Sequence, residues 1–176
     1  GAKFIREVDN GEIVYIENDE LKSLKPFPKR KKRPCVFEYI YFSRHDSLLD
    51  GVSAYEYRKK LGSELSKEDN IEADLVVPVP DSGNAAAIGY SQSKNIKFDL
   101  GLIRNHYVGR TFIEPAQKIR SLGVKLKLNA NKSSIKNKII ILVDDSLVRG
   151  TTSHKIVKML YDAGAKEVHL RIASPE

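Results

Sequence analysis

Short runs of consecutive apolar residues alternate with amphipathic stretches along most of this chain. Residues 139–143, with sequence IIILV, are five apolar residues in a row, and most of them are β-branched. Such a run is typical of a strand that is buried on both faces of a parallel sheet. Residues 73–80, with sequence ADLVVPVP, predict a second strand of this kind, and residues 167–173 predict a third. The pattern therefore indicates an α/β fold built on a parallel sheet.

Apolar residues recur at helical spacing between these strands. Residues 53–65 predict a helix that begins at a serine cap. Residues 151–163 predict a later helix with Thr152 or Ser153 as its N-cap and Gly164 as its stop. Because a strand, a loop, a helix and a strand follow one another here, we expect a β-α-β unit with a right-handed crossover.

The beginning of the chain has a different pattern. Two alternating runs, at residues 4–8 and 12–17, flank Asn10-Gly11 and predict a β-hairpin around that turn. Residues 21–33 hold seven basic residues, two prolines and no acid, which favours a solvated linker between domains. The aromatic and β-branched residues 35–42 then predict a strand at the start of the next domain.

Two acids directly follow the longest apolar run. We expect Asp144 and Asp145 at the carboxyl edge of the sheet, where open α/β folds place their ligands. Residues 146–152, with sequence SLVRGTT, add hydroxyls, an arginine and a glycine before a helix start, which together favour a phosphate cradle. Carboxylates beside a phosphate indicate a ribose diol, Mg²⁺ or both between them. The loop is not a Walker A motif, because no Gly-Lys-Ser/Thr sequence is present.

A second turn repeats this design after the strand at residues 73–80. Asp81, Ser82 and Gly83 supply an acid, a hydroxyl and a glycine before a helical stretch. The segment after residue 143 resembles the phosphoribosyl-pyrophosphate motif of type I phosphoribosyltransferases, which implies that the two turns hold two ends of one substrate, its 5′-phosphate and its pyrophosphate. Residues 98–102 predict a further short strand. The basic segment 104–128 has poor periodicity and is typical of either an active-site lid or a solvated loop.

Composition narrows the classes of function. The 30 Lys and Arg against 23 Asp and Glu give a formal net charge of +7, which favours either nucleic acid or a heavily phosphorylated small substrate as partner. Cys35 is the only cysteine, so an internal disulfide is excluded. No apolar run is near the ~20 residues that span a bilayer, and no signal-peptide pattern opens the chain. We therefore expect a cytoplasmic protein without a membrane partner.

Four segments, taken in order, resemble the glutamine phosphoribosylpyrophosphate (PRPP) amidotransferases, also called amidophosphoribosyltransferases. They are CVFEYIYFSR at residues 35–44, LVVPVPDSG at 75–83, YVGRTFI at 107–113 and ILVDDSLVRGTTS at 141–153. The resemblance covers nearly the whole chain. It implies the first step of purine (IMP) biosynthesis, in which ammonia from glutamine displaces pyrophosphate from PRPP to give 5-phosphoribosylamine.

The resemblance also implies a domain organisation. The expected fold is a type I phosphoribosyltransferase-like parallel sheet flanked by helices, with an N-terminal β-hairpin left from a glutaminase domain. Residues 1–20 would be the remnant of that domain, residues 21–33 a basic linker, and residues 34–176 a phosphoribosyltransferase domain that is incomplete at its C-terminus. Three alternatives stay open: a non-catalytic PRPP-binding regulatory module, a nucleic-acid-binding domain built on the basic linker, and an inactive fragment of the enzyme.

Roles for individual residues follow from the resemblance. Asp144 and Asp145 would contact the ribose hydroxyls and Mg²⁺, and Ser82 would be a further Mg²⁺ ligand. Arg104, Tyr107 and Arg110 would act in catalysis with the two acids, from a loop that closes over PRPP near the ammonia path, which Ile113 would also border. The full PRPP-binding set would be Asp81, Ser82, Gly83, Asp144, Asp145, Ser146, Val148, Arg149, Gly150, Thr151 and Thr152.

Cofactors and partners are implied in the same way. Mg²⁺ is the expected cofactor. Cys35 matches a position that ligates a 4Fe–4S cluster in one subclass of the family, and the alternative is a bare thiol buried in a strand. The expected partners are PRPP, ammonia or glutamine through a glutaminase domain, purine nucleotide inhibitors, and further copies of the full-length chain in a homo-oligomer; nucleic acid is not expected. His45 and His106 depart from the residues common in the family.

Overall fold

The computed structural model describes residues 2–28, 30–107 and 127–175 of the chain. The chain divides into two compact units, residues Gly1–Cys35 and Val36–Glu176. Within the described residues, no helix is both long enough and apolar enough to cross a bilayer. The assignment of residues 1–20 to a glutaminase domain stays a prediction.

The first unit contains an antiparallel hairpin of β1 (Ile13–Glu17) and β2 (Glu20–Leu24). The prediction of a hairpin around Asn10-Gly11 is wrong, because Asn18 and Asp19 join the strands, with left-handed backbone angles of φ 52° and 63°. Asparagine and aspartate tolerate this conformation better than most residues, so they can form the two-residue turn that hairpins favour. The strand β2 also includes residues 21–24 of the predicted linker.

Residues 36–42 are helical, so the prediction of a strand here is wrong. The helix α1 (Glu38–Phe42) is a single π-type turn, closed by a hydrogen bond of 3.3 Å from the Ser43 amide to the Glu38 carbonyl oxygen. It is stabilised by the buried Arg58, which donates hydrogen bonds to carbonyl oxygens within residues 38–43. Cys35 precedes this helix and is exposed, so the expectation of a buried thiol in a strand is also wrong.

A short hairpin of β3 (Leu48–Leu49) and β4 (Val52–Ser53) leads into α2 (Ala54–Leu65), which packs on α3 (Asn84–Lys94). The Ser53 cap is confirmed, because its hydroxyl accepts a hydrogen bond of 3.3 Å from the Glu56 amide. A Cβ at Gly62 would lie 1.8 Å from the Ala86 carbonyl oxygen, and one at Gly89 would lie 1.9 Å from that of Lys59. The two glycines therefore let the helix backbones approach closely.

The prediction of a strand over residues 98–102 is wrong in its extent. Phe98 makes a single parallel bridge to Val76, and the Gly101 amide then donates to the Asp99 carbonyl oxygen at 3.0 Å, which turns the chain. The next strand is β6 (Leu102–Arg104), which pairs antiparallel with β7 (Leu128–Ala130), and the short helix α4 (Lys132–Ile135) follows β7.

The centre of the second unit is a parallel sheet of β5 (Leu75–Pro78), β8 (Ile139–Asp144) and β9 (Glu167–Ile172), in the order β5-β8-β9. The middle strand β8 pairs Val143 with Pro78 of β5 and with Arg171 of β9. The predicted parallel sheet is therefore confirmed, and the carboxyl ends of β5 and β8 lie side by side.

Alternate residues of these strands face two hydrophobic clusters. On one face, Val77 and Leu142 belong to a cluster that includes residues of α5 (Thr151–Asp162). On the other face, Val76 and Ile141 belong to a cluster that includes Tyr90 of α3. Helices therefore cover both faces of the sheet, which explains why β5 and β8 are continuously apolar instead of alternating.

Candidate functional site

The two turns predicted to bind ligand meet at the carboxyl edge of the sheet. The Val79 amide, just beyond β5, donates to the Val143 carbonyl oxygen of β8 at 2.8 Å. A Cβ at Gly83 would lie 2.5 Å from the same oxygen. The turn at residues 81–84 therefore lies directly against the end of β8, where the two acids follow.

These acids, Asp144 and Asp145, are held by the chain beyond β9. The Ala173 and Ser174 amides donate to the carbonyl oxygens of Asp144 and Asp145 at 2.9 and 2.8 Å. Asp145 is 6% exposed and its Oδ1 accepts a hydrogen bond of 2.5 Å from the Ser146 hydroxyl, whereas Asp144 is half-buried. Burial, and next the charge of Asp145, raise the pKa of Asp144 to about 7. The pair suits a cation or hydroxyl donors.

The loop between these acids and α5 is open. Val148 is 85% exposed and Arg149 is exposed. Gly150 has a left-handed φ of 70°, and no atom of the described residues lies within 4 Å of an added Cβ. The prediction of Thr152 or Ser153 as the cap of α5 is wrong, because the helix begins at Thr151 with Gly150 as its N-cap and no side-chain cap. The first amides of α5 therefore lack a capping side chain and suit an anion.

The turn after β5 is tighter and carries an ion pair. Arg104, the last residue of β6, donates from Nη1 to the Asp81 Oδ2 atom. The Pro80–Asp81 peptide is cis. Within the described residues, the Ser82 hydroxyl makes no hydrogen bond. This turn therefore presents a neutralised acid and a hydroxyl that is available to a ligand.

Two buried polar atoms near this turn have no hydrogen-bond partner within the described ranges, Asn84 Oδ1 and Arg104 Nε. Buried polar groups usually have a hydrogen-bond partner, so we expect each of these atoms to gain one from water, from a ligand or through a rearrangement. Arg104 was predicted from the sequence as a site residue, whereas Asn84 was not. The signal for Asn84 was its position directly after the glycine of the predicted turn.

Arg58 of α2 is a second residue that was not predicted from the sequence. It is 3% exposed, and its Nη1 atom lies 3.2 Å from His45 Nδ1. Burial lowers the pKa of the Arg58 guanidinium, and the negative charge of Asp145 opposes that shift. A signal was present, because Arg58 lies at helical spacing in the buried stripe of α2 between Ala54 and Leu65.

Tyr107, Arg110 and Ile113 are the remaining residues that the sequence predicts near the site. Tyr107 is fully exposed, and Arg110 and Ile113, with the rest of residues 108–126, lie outside the described residues. No group of three or more His, Cys, Asp or Glu side chains placed to hold a metal occurs in the described part of the chain.

Comparison with known proteins gives matches over nearly the whole chain. The family described as the phosphoribosyl transferase domain matches residues 46–173. The amidophosphoribosyltransferase of Rhizobium etli is 54% identical over 180 residues, which cover 99% of this chain and 36% of that protein. The protein of the same name from Archaeoglobus fulgidus is 50% identical over 175 residues, covering 99% of this chain and 38% of that protein. The resemblance found from the four segments is therefore confirmed.

Solved structures give the same result for the fold. The glutamine PRPP amidotransferase from B. subtilis, complexed with ADP and GMP, matches with a TM-score of 0.83 at 49% identity, over 97% of this chain and 38% of that chain. These values confirm the expected parallel sheet flanked by helices. The chain spans only 36–38% of the length of these relatives.

Proposed function

The chain belongs to the phosphoribosyltransferase domain family, and we propose that it is the PRPP-binding part of an amidophosphoribosyltransferase. This enzyme would transfer ammonia from glutamine to PRPP in the first step of purine biosynthesis, releasing pyrophosphate. The observation that carries the proposal is the meeting of two ligand-type turns at the ends of β5 and β8, where Gly83 is packed against the Val143 carbonyl oxygen.

Three parts of the site match three parts of PRPP. The uncapped start of α5 and the open loop at residues 146–150 would bind the 5′-phosphate through backbone amides and hydroxyls. The carboxylates of Asp144 and Asp145 would accept hydrogen bonds from the ribose hydroxyls. The turn at residues 81–83, with Arg104 beside it, would hold the pyrophosphate.

The residues present fit Mg²⁺ as a cofactor that arrives with the substrate. Mg²⁺ usually takes one or two carboxylates and completes its shell with water and phosphate oxygens. Burial, and next the charge of Asp145, raise the pKa of Asp144, and a cation beside the two carboxylates would oppose both effects. Asp144, Asp145 and the unbonded Ser82 hydroxyl would hold the ion, which would neutralise charge on the departing pyrophosphate.

The protein's own contribution is positioning and charge. Loss of pyrophosphate from the anomeric carbon leaves an oxocarbenium-like ring, so the reaction needs little covalent help. The Asp144 and Asp145 carboxylates would orient the ribose and favour its growing positive charge. Arg104 would stabilise negative charge on the pyrophosphate, and ammonia would add to the opposite face of the ring.

Further partners belong to the whole enzyme. We propose that glutamine supplies the ammonia through a glutaminase domain, that purine nucleotides inhibit the enzyme, and that the full-length protein forms a homo-oligomer. The complex of the B. subtilis relative with ADP and GMP supports nucleotides as ligands. A 4Fe–4S cluster at Cys35 and a cytoplasmic location stay predictions.

Calorimetric titration of this chain with PRPP in the presence of Mg²⁺ tests the proposal. We expect binding by the wild type and a loss of roughly tenfold or more in Asp144→Asn, because a charged hydrogen-bond acceptor is removed. Asp46→Asn is the matched control, since Asp46 is an aspartate outside both turns in sequence that forms an exposed ion pair with Arg44. No binding by a folded wild type, or equal affinity in Asp144→Asn, would refute the proposal.

A further inference from the structure

The ion pair between Arg104 and Asp81 lies within the turn that is proposed to hold pyrophosphate. Arg104 Nη1 donates to Asp81 Oδ2, and the side chains of the two residues are 30% and 44% exposed. Because both side chains reach solvent, the contact can exchange for another partner without unfolding the turn. The neighbouring Ser82 hydroxyl makes no hydrogen bond within the described residues.

The pair leaves Arg104 incompletely satisfied. Its Nε atom is buried and lacks a hydrogen-bond partner in the described part of the chain. A guanidinium group offers five N–H donors in a planar fork that matches phosphate oxygens in pairs. Since Nε is closed off from solvent in this arrangement, an incoming acceptor can reach it only when the guanidinium moves away from Asp81.

We propose that the Asp81–Arg104 ion pair is a latch on the pyrophosphate turn, in which Asp81 holds Arg104 until a pyrophosphate group takes it over. The inference rests on the proposed function and adds a role for Asp81. Pyrophosphate carries more negative charge and more acceptor oxygens than one carboxylate, so it can engage the Nε and Nη donors together. Asp81 is then a positioning residue, which orders Arg104 in the free protein and competes with the ligand.

The latch makes a prediction that a simple ligand role for Asp81 does not make. In Asp81→Asn, Arg104 loses its charged competitor, so inorganic pyrophosphate should bind several-fold more tightly, whereas loss of a ligand-binding carboxylate would weaken binding. In Arg104→Gln, affinity should fall roughly tenfold, because a charge-assisted hydrogen-bond donor is lost.

The double variant separates the latch from general repulsion between Asp81 and phosphate. If the latch operates, the gain from Asp81→Asn disappears in the Arg104→Gln background, because no guanidinium remains to be released. If Asp81 only repels phosphate, the gain persists in both backgrounds, which would overturn the proposal. Asp81→Ser opens the pair in a second way and should give the same gain as Asp81→Asn.

The experiment is calorimetric titration of the whole chain with inorganic pyrophosphate, for the wild type, the single variants and the double variant. Asp46→Asn, which opens the exposed Arg44–Asp46 pair, is the matched control and should leave affinity unchanged. Unchanged or weaker binding by Asp81→Asn, in a chain whose wild type binds PRPP, would overturn the latch alone. A wild type that binds neither pyrophosphate nor PRPP would overturn the latch together with the proposed function.

Discussion

The two ligand-type turns have similar sequences but different physical states. Both combine an acid, a hydroxyl and a glycine between a buried strand and a helix. In the turn after β5, Asp81 is paired with Arg104 and Gly83 is packed against the Val143 carbonyl oxygen. In the loop after β8, the acids make no ion pair within the described residues, and Gly150 has no neighbour within 4 Å of an added Cβ.

This difference indicates a division of roles. The turn after β5 is already neutralised and closely packed, so it is suited to hold one rigid shape. The loop after β8 has two adjacent carboxylates that make no ion pair within the described residues, and an open glycine, so it gains most from a bound cation and phosphate. The same kind of substitution, made once in each turn, should therefore have different effects on stability or binding.

The largest expected effect comes from adding one methyl group to each glycine. In Gly83→Ala the new Cβ would lie 2.5 Å from the Val143 carbonyl oxygen, and backbone must move to relieve the clash. We expect the free energy of unfolding to fall by about 3 kcal/mol. In Gly150→Ala there is no clash, and only the left-handed φ of 70° is strained, for about 1 kcal/mol.

Urea denaturation of the two variants measures both losses. The comparison fails if Gly150→Ala is destabilised as much as Gly83→Ala, because the loop after β8 would then be packed as tightly as the turn after β5. Gly51→Ala is a useful control for φ alone, since Gly51 has a φ of 82° in the β3-β4 hairpin and no atom within 4 Å of an added Cβ.

The two turns could be located from sequence because each follows a buried strand, and parallel strands end at one edge of a sheet. The ion pair between Asp81 and Arg104 could not be, because it joins residues 23 positions apart whose approach depends on the pairing of β6 with β7. The turn at Asn18 and Asp19 was missed because Asn10-Gly11 is the stronger local signal for a hairpin.

The helix at residues 38–42 shows a tertiary effect that local pattern does not reveal. Its sequence, EYIYF, is aromatic and apolar and favours a strand. Arg58, twenty residues beyond Glu38, donates hydrogen bonds to the carbonyl oxygens of Glu38 and Tyr39 and thereby stabilises the helical form. A charged residue inside an apolar helical stripe was the only available signal for this contact.

Because the two turns differ in charge, we expect pH to change the free energy of unfolding, by an amount between the effects of the glycine and serine substitutions. Because the pKa of Asp144 is raised to about 7, the folded chain keeps this proton over a range where the unfolded chain has lost it. The free energy of unfolding should therefore fall as the pH rises from about 4 to about 7, and this decline should be absent from Asp144→Asn. Asp81 has a basic partner, so Asp81→Asn should keep the decline.

Urea denaturation without divalent cations, at about pH 5 and about pH 8, measures this difference. Asp46→Asn is the control, because Asp46 is an exposed aspartate whose pKa is lowered by Arg44 and which is not among the causes of the raised pKa of Asp144. Identical pH dependence in the wild type and Asp144→Asn would show that Asp144 ionises in the folded chain as it does in the unfolded chain.

The smallest expected effects come from removing the serine hydroxyl of each turn. The two hydroxyls differ in whether they have a hydrogen-bond partner. The Ser146 hydroxyl donates to Asp145 Oδ1 at 2.5 Å, whereas the Ser82 hydroxyl makes no hydrogen bond within the described residues. Ser146→Ala should therefore lower the free energy of unfolding by about 1 kcal/mol, and Ser82→Ala should leave it nearly unchanged.

For ligand binding we expect the opposite order, with the larger effect in Ser82→Ala and the smaller in Ser146→Ala. Because the Ser82 hydroxyl makes no hydrogen bond to any described residue, it can bind Mg²⁺ or pyrophosphate without first breaking such a bond, so its removal should weaken Mg²⁺–pyrophosphate binding by a few-fold. Ser146 must first leave Asp145, so its loss should weaken that binding less. Calorimetry with Mg²⁺–pyrophosphate, beside urea denaturation of both variants, checks the two orders together. If Ser82→Ala loses stability but no affinity, its hydroxyl supports the turn and the assignment of Ser82 as a ligand is wrong.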